Sequence, residues 1–285
     1  MKNKLLQIGL ISLTISACGQ FPQPESVATV QDSEPRSIEP EGMTIGERIA
    51  VPVGYERVRV HVHSFASYLR NLPLKPAGSA VHLYNGELKS RQDVHAAVVD
   101  MDTGGKDLQQ CADAVMRLRA EYLLAEKRYN DIHFDFTNGF TAEYAKWREG
   151  GRISITGNHC QWRQTGRASG SYADFRKYMD LVFSYAGTLS LAKELKPVDI
   201  EELKAGDVFI QGGSPGHAII VVDVARHTKT NDKIFLLAQS YMPAQEIHIL
   251  KNPESQALSP WYSAAFGEIL RTPEWTFKKA DLKRF

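Results

Sequence analysis

The chain has 285 residues, with 34 Lys and Arg against 33 Asp and Glu, and a formal net charge of +1. This balanced charge, with no basic stripe of interleaved aromatic residues, argues against nucleic-acid binding. Residues 43–285 are long enough to bury one substantial core, so they are predicted to form a single domain.

The N-terminus has the pattern of a bacterial lipoprotein signal peptide. A short basic region precedes an apolar stretch over residues 5–15, which is too short to span a membrane. The sequence ISACG, residues 15–19, then matches a lipobox with cleavage before Cys18. Residues 1–17 are therefore predicted to be removed as the signal peptide, and Cys18 is predicted to carry the lipid.

The segment that follows the lipobox is predicted to be a flexible tether. Residues 18–42 are rich in Pro, Ser, Glu and Gln and hold few large apolar residues. The mature protein is expected to sit in the cell envelope, held on the membrane through the lipid on Cys18. Gly19, rather than Asp, follows this cysteine, which indicates the outer membrane, facing the periplasm, if the organism is Gram-negative.

In the first half of the domain, hydrophobic periodicity predicts both strands and helices. Residues 55–63 alternate as a strand, residues 64–69 are predicted to form a helix capped by Ser64, and residues 95–101 form an apolar strand. After a glycine-rich break, residues 108–128 have the spacing of a long amphipathic helix, with Asp107 as the expected cap.

The second half changes from helices to strands. The predicted helices are residues 141–147, 172–186 and 189–195, and the predicted strands are residues 208–210, 218–224, 234–238 and 245–250. A helix followed by a run of strands that are expected to be antiparallel predicts an α+β fold.

Two residues at the starts of such elements form a candidate catalytic dyad. Cys111 lies in the first turn of the long helix, where the positive end of the helix dipole favours a thiolate. His217 opens the strongly apolar strand and would be able to take the thiol proton. The pair predicts a cysteine hydrolase.

Three segments resemble the NlpC-type cell-wall peptidases, a branch of the papain-like fold. They are GGKDLQQCAD (residues 104–113), LKAGDVFI (residues 203–210) and GHAIIVV (residues 216–222). The resemblance implies a papain-like core, with a helix packed on an antiparallel sheet and residues 131–195 as a large helical insertion. It also implies that Gln239 is the third polar residue, which orients His217.

The resemblance also implies a substrate. NlpC-type enzymes cut peptide bonds in peptidoglycan stem peptides, so the expected activity is amide hydrolysis in peptidoglycan, with the Cys111 N–H and either Gln109 or Gln110 forming an oxyanion hole. The whole chain, with QSYMPAQ at residues 239–245, is in addition similar to a group of bacterial lipoproteins classed as a domain of unknown function.

Other interpretations of the same residues stay open. Cys111 is in helical register with the apolar positions that follow it and would also serve as a packing residue. A disulfide between Cys111 and Cys160 is a further alternative in an oxidising envelope. In either case the protein would be a non-catalytic envelope binding or scaffold lipoprotein.

No cofactor or metal site is predicted. His61 and His63 share one face of a predicted strand, and His159 adjoins Cys160. The sequence contains no His-Glu-x-x-His and no Cys-x-x-Cys spacing, so the ordinary explanation of these histidines is a polar strand surface.

Overall fold

A computed structural model of the chain describes residues 37–285. The predicted signal peptide, Cys18 and most of the predicted tether lie outside the described residues. The described residues belong to one compact unit. None of the described helices combines the length and the apolar character that a bilayer crossing needs.

The described residues contain six α-helices and fifteen strands. The helices are α1 (Ile45–Arg48), α2 (Phe65–Arg70), α3 (Cys111–Ala125), α4 (Tyr144–Arg148), α5 (Tyr172–Tyr185) and α6 (Thr188–Glu194). The strands of the first part are β1 (Tyr55–Arg57), β2 (His95–Val98), β3 (His133–Asp135), β4 (Thr141–Glu143), β5 (Gly151–Thr156), β6 (His159–Gln164) and β7 (Lys196–Pro197). Those of the second part are β8 (Val208–Gln211), β9 (His217–His227), β10 (Lys233–Gln239), β11 (His248–Leu250), β12 (Tyr262–Ser263), β13 (Ile269–Arg271), β14 (Thr276–Lys278) and β15 (Leu282–Arg284).

Nine of these strands form the central sheet, in the order β2-β11-β10-β9-β8-β15-β7, with β1 and β12 added on β9 and β10. All of its pairings are antiparallel. The long strand β9 is the centre of the sheet. Its first half pairs with β8, from His217 opposite Gln211, and its last residues pair with β1.

Side-chain alternation along β9 and β10 builds a separate apolar core on each face of the sheet. Ala218, Ile220 and Val222 belong to the larger core, while Ile219 and Val221 belong to the smaller one. The helix α3 packs on the larger-core face, chiefly against β9. The smaller core is closed by the C-terminal segment, with Leu270, Phe277 and Leu282 among its buried residues.

The papain-like α+β prediction is wrong for this chain. The molecule is mostly antiparallel sheet, with nine strands in the main sheet and only 24% of the described residues in helices. Some strands of the sheet have only two or three residues, such as β1, β7, β12 and β15. Pairing in the sheet stabilises these short strands, and they have no sequence periodicity from which they could be predicted.

The large helical insertion predicted over residues 131–195 is also wrong. This region contains two β-hairpins, β3–β4 and β5–β6, as well as α4, α5 and α6. The β5–β6 hairpin turns at Gly157-Asn158, where Gly157 has a φ of 59°. A Gly-Asn pair favours a tight hairpin turn, and this signal lies between two six-residue strands.

Several local predictions agree with the structure. The helix over residues 64–69 is α2, and the Ser64 hydroxyl accepts a hydrogen bond from the Ser67 N–H as its cap. The apolar strands predicted in the second half correspond to β8, β9, β10 and β11. The strand predicted over residues 55–63 is shorter and ends at Arg57.

Candidate functional site

Cys111 is the first residue of α3, and a set of hydrogen bonds fixes the start of this helix. The Gln110 N–H donates to Oδ2 of Asp113 at 3.0 Å. Asp107, which the sequence suggested as the cap, instead accepts from the Ala244 N–H at 2.6 Å and from the Gln110 side chain at 3.0 Å. These contacts tie the loop before Cys111 to the segment that follows β10.

The Cys111 thiol lies between opposing electrostatic effects. Burial is the largest of them and raises the pKa of the thiol, and the Asp113 carboxylate raises it further. The backbone N–H of Ala218, and those of Cys111 and Ala112 at the helix start, lower this pKa. Donors from a helix N-terminus and from β9 are therefore directed at one sulfur atom, which is the kind of environment that stabilises negative charge.

His217, the first residue of β9, is 2% exposed. Its ring is 4.7 Å from the Tyr241 ring, 5.3 Å from that of Trp275 and 6.0 Å from that of Phe277, measured between centroids. Burial among these rings lowers the pKa of His217 to about 4, and this is partly offset by the hydrogen bond that the ring donates to Gln239 and by the charge of Glu274. The imidazole is therefore neutral near pH 7.

Gln239, the last residue of β10, fixes which nitrogen of His217 carries the proton. Its Nε2 donates to Oε2 of Glu274 at 2.8 Å and lies 3.3 Å from Nε2 of His248. Its Oε1 therefore faces Nε2 of His217, at 2.9 Å, and can only accept. Nε2 of His217 carries the hydrogen, and Nδ1 is left as the basic nitrogen.

These residues meet at one end of the sheet. Alternation places His217 and Gln239 on the face of the smaller core, whereas α3 covers the other face. The Cys111 sulfur reaches the sheet at the amide of Ala218, the residue after His217. The Tyr241 ring contacts His217, and the pKa of its phenol is raised by burial first, then by the charge of Glu274 and by negative charge on Cys111. The structure thus gathers Cys111, His217 and Gln239 around one strand end.

The two glutamines before the cysteine have different surroundings. The Gln110 side chain is engaged with Asp107. Gln109 is 1% exposed, its Oε1 accepts from Arg117 at 2.5 Å, and its Nε2 has no hydrogen-bond partner among the described residues. Of the two, Gln109 is the one that keeps an unused buried donor. Asp113 does not pair with Arg117, which bonds to Glu121 at 2.9 Å instead.

Sequence reasoning missed the residues that hold Gln239 in place. Glu274 accepts from Gln239 and from Nζ of Lys89, the latter at 2.6 Å, and both charged side chains are nearly buried, at 11% and 5% exposure. Trp275 lies against His217 and donates its indole N–H to Oε1 of Gln211 at 3.0 Å. Lys89 and Glu274 are 185 residues apart in the chain, and no sequence pattern links them.

The remaining cysteine, the histidines and Asp207 have the following surroundings in the structure. Cys111 and Cys160 are both free cysteines of intermediate burial, and Cys160 accepts a hydrogen bond from the Asn138 side chain at 3.2 Å. Within residues 37–285, no group of three or more His, Cys, Asp or Glu side chains is arranged to hold a metal ion. Asp207 orders its turn by accepting a hydrogen bond from the Lys204 N–H at 2.8 Å.

Residues 45–284 match a protein family described as "Domain of unknown function (4846)". The chain belongs to this family. The family match runs from α1 to β15 and so includes Cys111, His217 and Gln239 as well as Lys89 and Glu274. No curated protein and no solved structure matches the chain.

Proposed function

We propose that this protein is a cysteine hydrolase that cleaves amide bonds, with Cys111 as nucleophile, His217 as base and Gln239 as the residue that orients His217. The observation that carries the proposal is the hydrogen-bond chain from Glu274 through Gln239 to Nε2 of His217. This chain leaves Nδ1 as the basic nitrogen on the residue next to the amide that contacts the Cys111 thiol.

The proposed reaction proceeds through a thioester. Nδ1 of His217 takes the Cys111 proton as the sulfur attacks the amide carbonyl, and the protonated imidazole then donates this proton to the leaving amine as the C–N bond breaks. Water attacks the thioester, again with His217 as base, and releases the acid. Backbone N–H groups of Cys111 and Ala218, with Nε2 of Gln109 as a further donor, would stabilise the oxyanion.

Both members of the pair are neutral in the resting state. Burial raises the pKa of Cys111 and lowers that of His217 to about 4. The proton transfer is therefore coupled to attack on the substrate, and a preformed thiolate–imidazolium pair is not required. Such an arrangement predicts low thiol reactivity in the absence of substrate, and a reactivity that depends on His217.

The proposed substrates are stem-peptide amides of peptidoglycan, and the proposed location is the cell envelope, with the protein anchored through a lipid on Cys18. The support for both is the lipobox and the three segments that resemble NlpC-type enzymes, which contribute the start of α3, the turn before β8 and the start of β9. The three segments form local elements that are similar to those expected for NlpC-type enzymes. The sheet that contains them here is larger than, and different from, a papain-like core.

A non-catalytic binding or scaffold role is the second candidate. The observation that favours it is the burial of His217 beneath Trp275 and Phe277. In that case His217 and Gln239 would be a hydrogen-bonded pair of the core, and Cys111 would be an inert thiol.

Site-resolved alkylation separates the two roles. The full chain is treated with iodoacetamide over a range of pH, and peptide mapping follows Cys111 and Cys160 in the same sample. Cys160 serves as the internal control because it is also free and half-buried. For a hydrolase, His217→Asn should slow the labelling of Cys111 by about tenfold or more and leave Cys160 unchanged. Equal rates at Cys111 in both proteins, with equal melting temperatures, would favour the scaffold.

Peptidoglycan digestion tests the reaction itself. The reduced full chain is incubated with isolated peptidoglycan of several stem compositions, and the released fragments are separated by chromatography. New amine termini should form with the wild-type protein and with Cys160→Ser, and should be absent with Cys111→Ser. Identical fragment profiles for the wild type and Cys111→Ser would reject the proposed hydrolysis.

A further inference from the structure

A cavity that none of the candidate catalytic residues lines lies between α2, the turn over residues 203–207 and the end of β9. Its volume is about 560 Å³, within the range that small-molecule sites occupy. Most of its wall is apolar, with Val58, Phe65, Leu203, Ala205, Val224 and Phe285 among the lining residues.

The wall of this cavity contains a cation without an acidic partner. The guanidinium carbon of Arg119 lies 5.2 Å from the ring centroid of Phe65, 5.6 Å from that of Tyr122 and 5.3 Å from that of Phe285. Within residues 37–285 it forms no ion pair, although Arg117, two residues earlier, has two. Three aromatic rings hold this guanidinium in place, so its planar fork is available to an anion.

The other charges around the cavity add to this positive character. Arg70 and Arg284 are paired with Asp223 and Asp207, so they contribute little net charge. Lys233, by contrast, donates to two backbone carbonyls, at 2.6 and 3.1 Å, and has no carboxylate partner within the described chain.

At the rim of the cavity, Arg59 is exposed and Glu202 is the one lining acid without an ion pair among the described residues. Lys204, which is also exposed at the cavity, has no ion pair among the described residues either. Arg119, Lys233, Arg59 and Lys204 therefore outnumber the free acid by four to one.

We propose that this cavity binds an amphiphile, an apolar chain or ring system that ends in a single oxyanion. The apolar wall accommodates the body of the ligand, and Arg119 bonds the carboxylate or phosphate at its end. An aliphatic alcohol would not supply an anionic partner for Arg119. An amphiphile with a cationic end would be repelled by the four positive side chains.

Binding of matched twelve-carbon probes to the full chain tests the charge requirement. Isothermal titration compares dodecanoate and dodecyl phosphate with dodecan-1-ol and dodecyltrimethylammonium, each below the concentration at which it aggregates. Both anions should bind at least about tenfold more tightly than the alcohol and the cation. The tighter of the two anions identifies the headgroup as carboxylate or phosphate. Absence of anion binding, or equally tight binding of the cation, would overturn the proposal.

Two variants locate the site. Arg119→Gln should weaken anion binding by about tenfold without changing binding of the alcohol, because only the charge–charge contact is removed. Ala66→Trp, on α2 in the cavity wall, should exclude all four probes. Arg163→Gln, an exposed arginine on β6, is the matched control and should bind like the wild type.

Melting temperatures show whether each variant is folded. Anion binding that is unchanged in both folded Arg119→Gln and folded Ala66→Trp would place the ligand elsewhere and reject the site.

Discussion

The Gln239 side chain donates its Nε2–H to Oε2 of Glu274 at 2.8 Å, and this bond determines the orientation of the amide that faces His217. Glu274 is in turn bonded to Nζ of Lys89. A buried ion pair thus holds the residue that selects the tautomer of the candidate base. In the proposed mechanism Glu274 acts through Gln239, so it is a positioning residue. Its loss should therefore lower the reactivity of the Cys111 thiol.

We expect Glu274→Gln to slow the alkylation of Cys111 and to destabilise the fold. The variant removes the charge that raises the pKa of His217 and leaves Lys89 buried without its partner, at a cost on the order of 3 kcal/mol. Chemical denaturation and the site-resolved labelling assay measure the two effects.

The double variant Lys89→Met with Glu274→Gln separates positioning from stability. Removal of the unpaired charge should restore much of the free energy of unfolding, whereas the labelling rate of Cys111 should stay low. Recovery of both quantities together would show that Glu274 has only a structural role.

The buried carboxyl of Asp113 should make the free energy of unfolding decrease as the pH rises. Burial raises the pKa of this carboxyl to about 8, and Oδ1 has no hydrogen-bond partner among the described residues. The folded state keeps a proton that the unfolded chain releases near its usual pKa, so stability is lost progressively between about pH 4 and about pH 8. Asp113→Asn should remove this loss.

Denaturation at about pH 4.5 and about pH 8.5 measures the effect, and the gain for Asp113→Asn at the higher pH should be on the order of 2 kcal/mol. Asp199→Asn, which removes an exposed carboxylate, is the control and should change neither value. Because the Asp113 charge also raises the pKa of Cys111, Asp113→Asn should speed alkylation of that thiol at alkaline pH. A gain that is equal at both pH values would contradict the assignment.

The presence and order of α3, β8, β9 and β10 could be predicted because their signals are local, although β9 continues to His227, three residues beyond the predicted strand. The apolar run that begins at His217 is long enough to identify a buried strand, and helical periodicity starts near Cys111. These local signals were enough to assign Cys111, His217 and Gln239 to α3, β9 and β10. They did not determine the fold around them, because the sheet order depends on pairings between distant segments such as β1 with β9.

The environment of the site could not be predicted for the same reason. Trp275 and Glu274 belong to the segment between β13 and β14, and nothing in its sequence indicates that it covers His217. The helix cap was also missed, since Asp107 was the expected cap but its carboxylate contacts the Ala244 N–H, and Gln110 holds the N-cap position. The sequence pattern identifies the candidate residues, and packing between distant segments determines the protonation of the Cys111 thiol and the His217 ring.

Two buried histidines should make the fold sensitive to acid. Burial lowers the pKa of His217 to about 4 and that of His248 to about 3. Below about pH 6.5 the unfolded chain binds protons on these two rings, whereas the folded chain does not, so stability falls as the pH drops from about 6.5 towards 4. This fall is the acid limb of the stability curve. His248→Gln, which keeps a donor and an acceptor, should make the acid limb less steep. The exposed His159→Gln should leave the limb unchanged, and an equal effect of both variants in a denaturation series would contradict the prediction.

The lipid anchor is tested by the attachment residue itself. Cys18 lies outside the described residues, and its acylation is predicted from the lipobox alone. Cys18→Ala should move the protein from the membrane to the soluble fraction, because the lipid on Cys18 is the proposed attachment to the bilayer. Cys160→Ala, the matched control, should stay with the membrane. If the two variants fractionate in the same way, anchoring through Cys18 is rejected.

Trp275 should control access to the candidate base. Its ring covers His217 at 5.3 Å and is held by the indole bond to Gln211. Trp275→Ala opens the imidazole to water, so the pKa of His217 should rise from about 4 towards its usual value and Cys111 should alkylate faster. The pH dependence of Cys111 labelling and the NMR titration of the His217 ring report the two changes. Trp162→Ala, which removes a half-buried indole from β6, should alter neither, and an unchanged His217 titration in folded Trp275→Ala would show that this ring does not cause the low pKa.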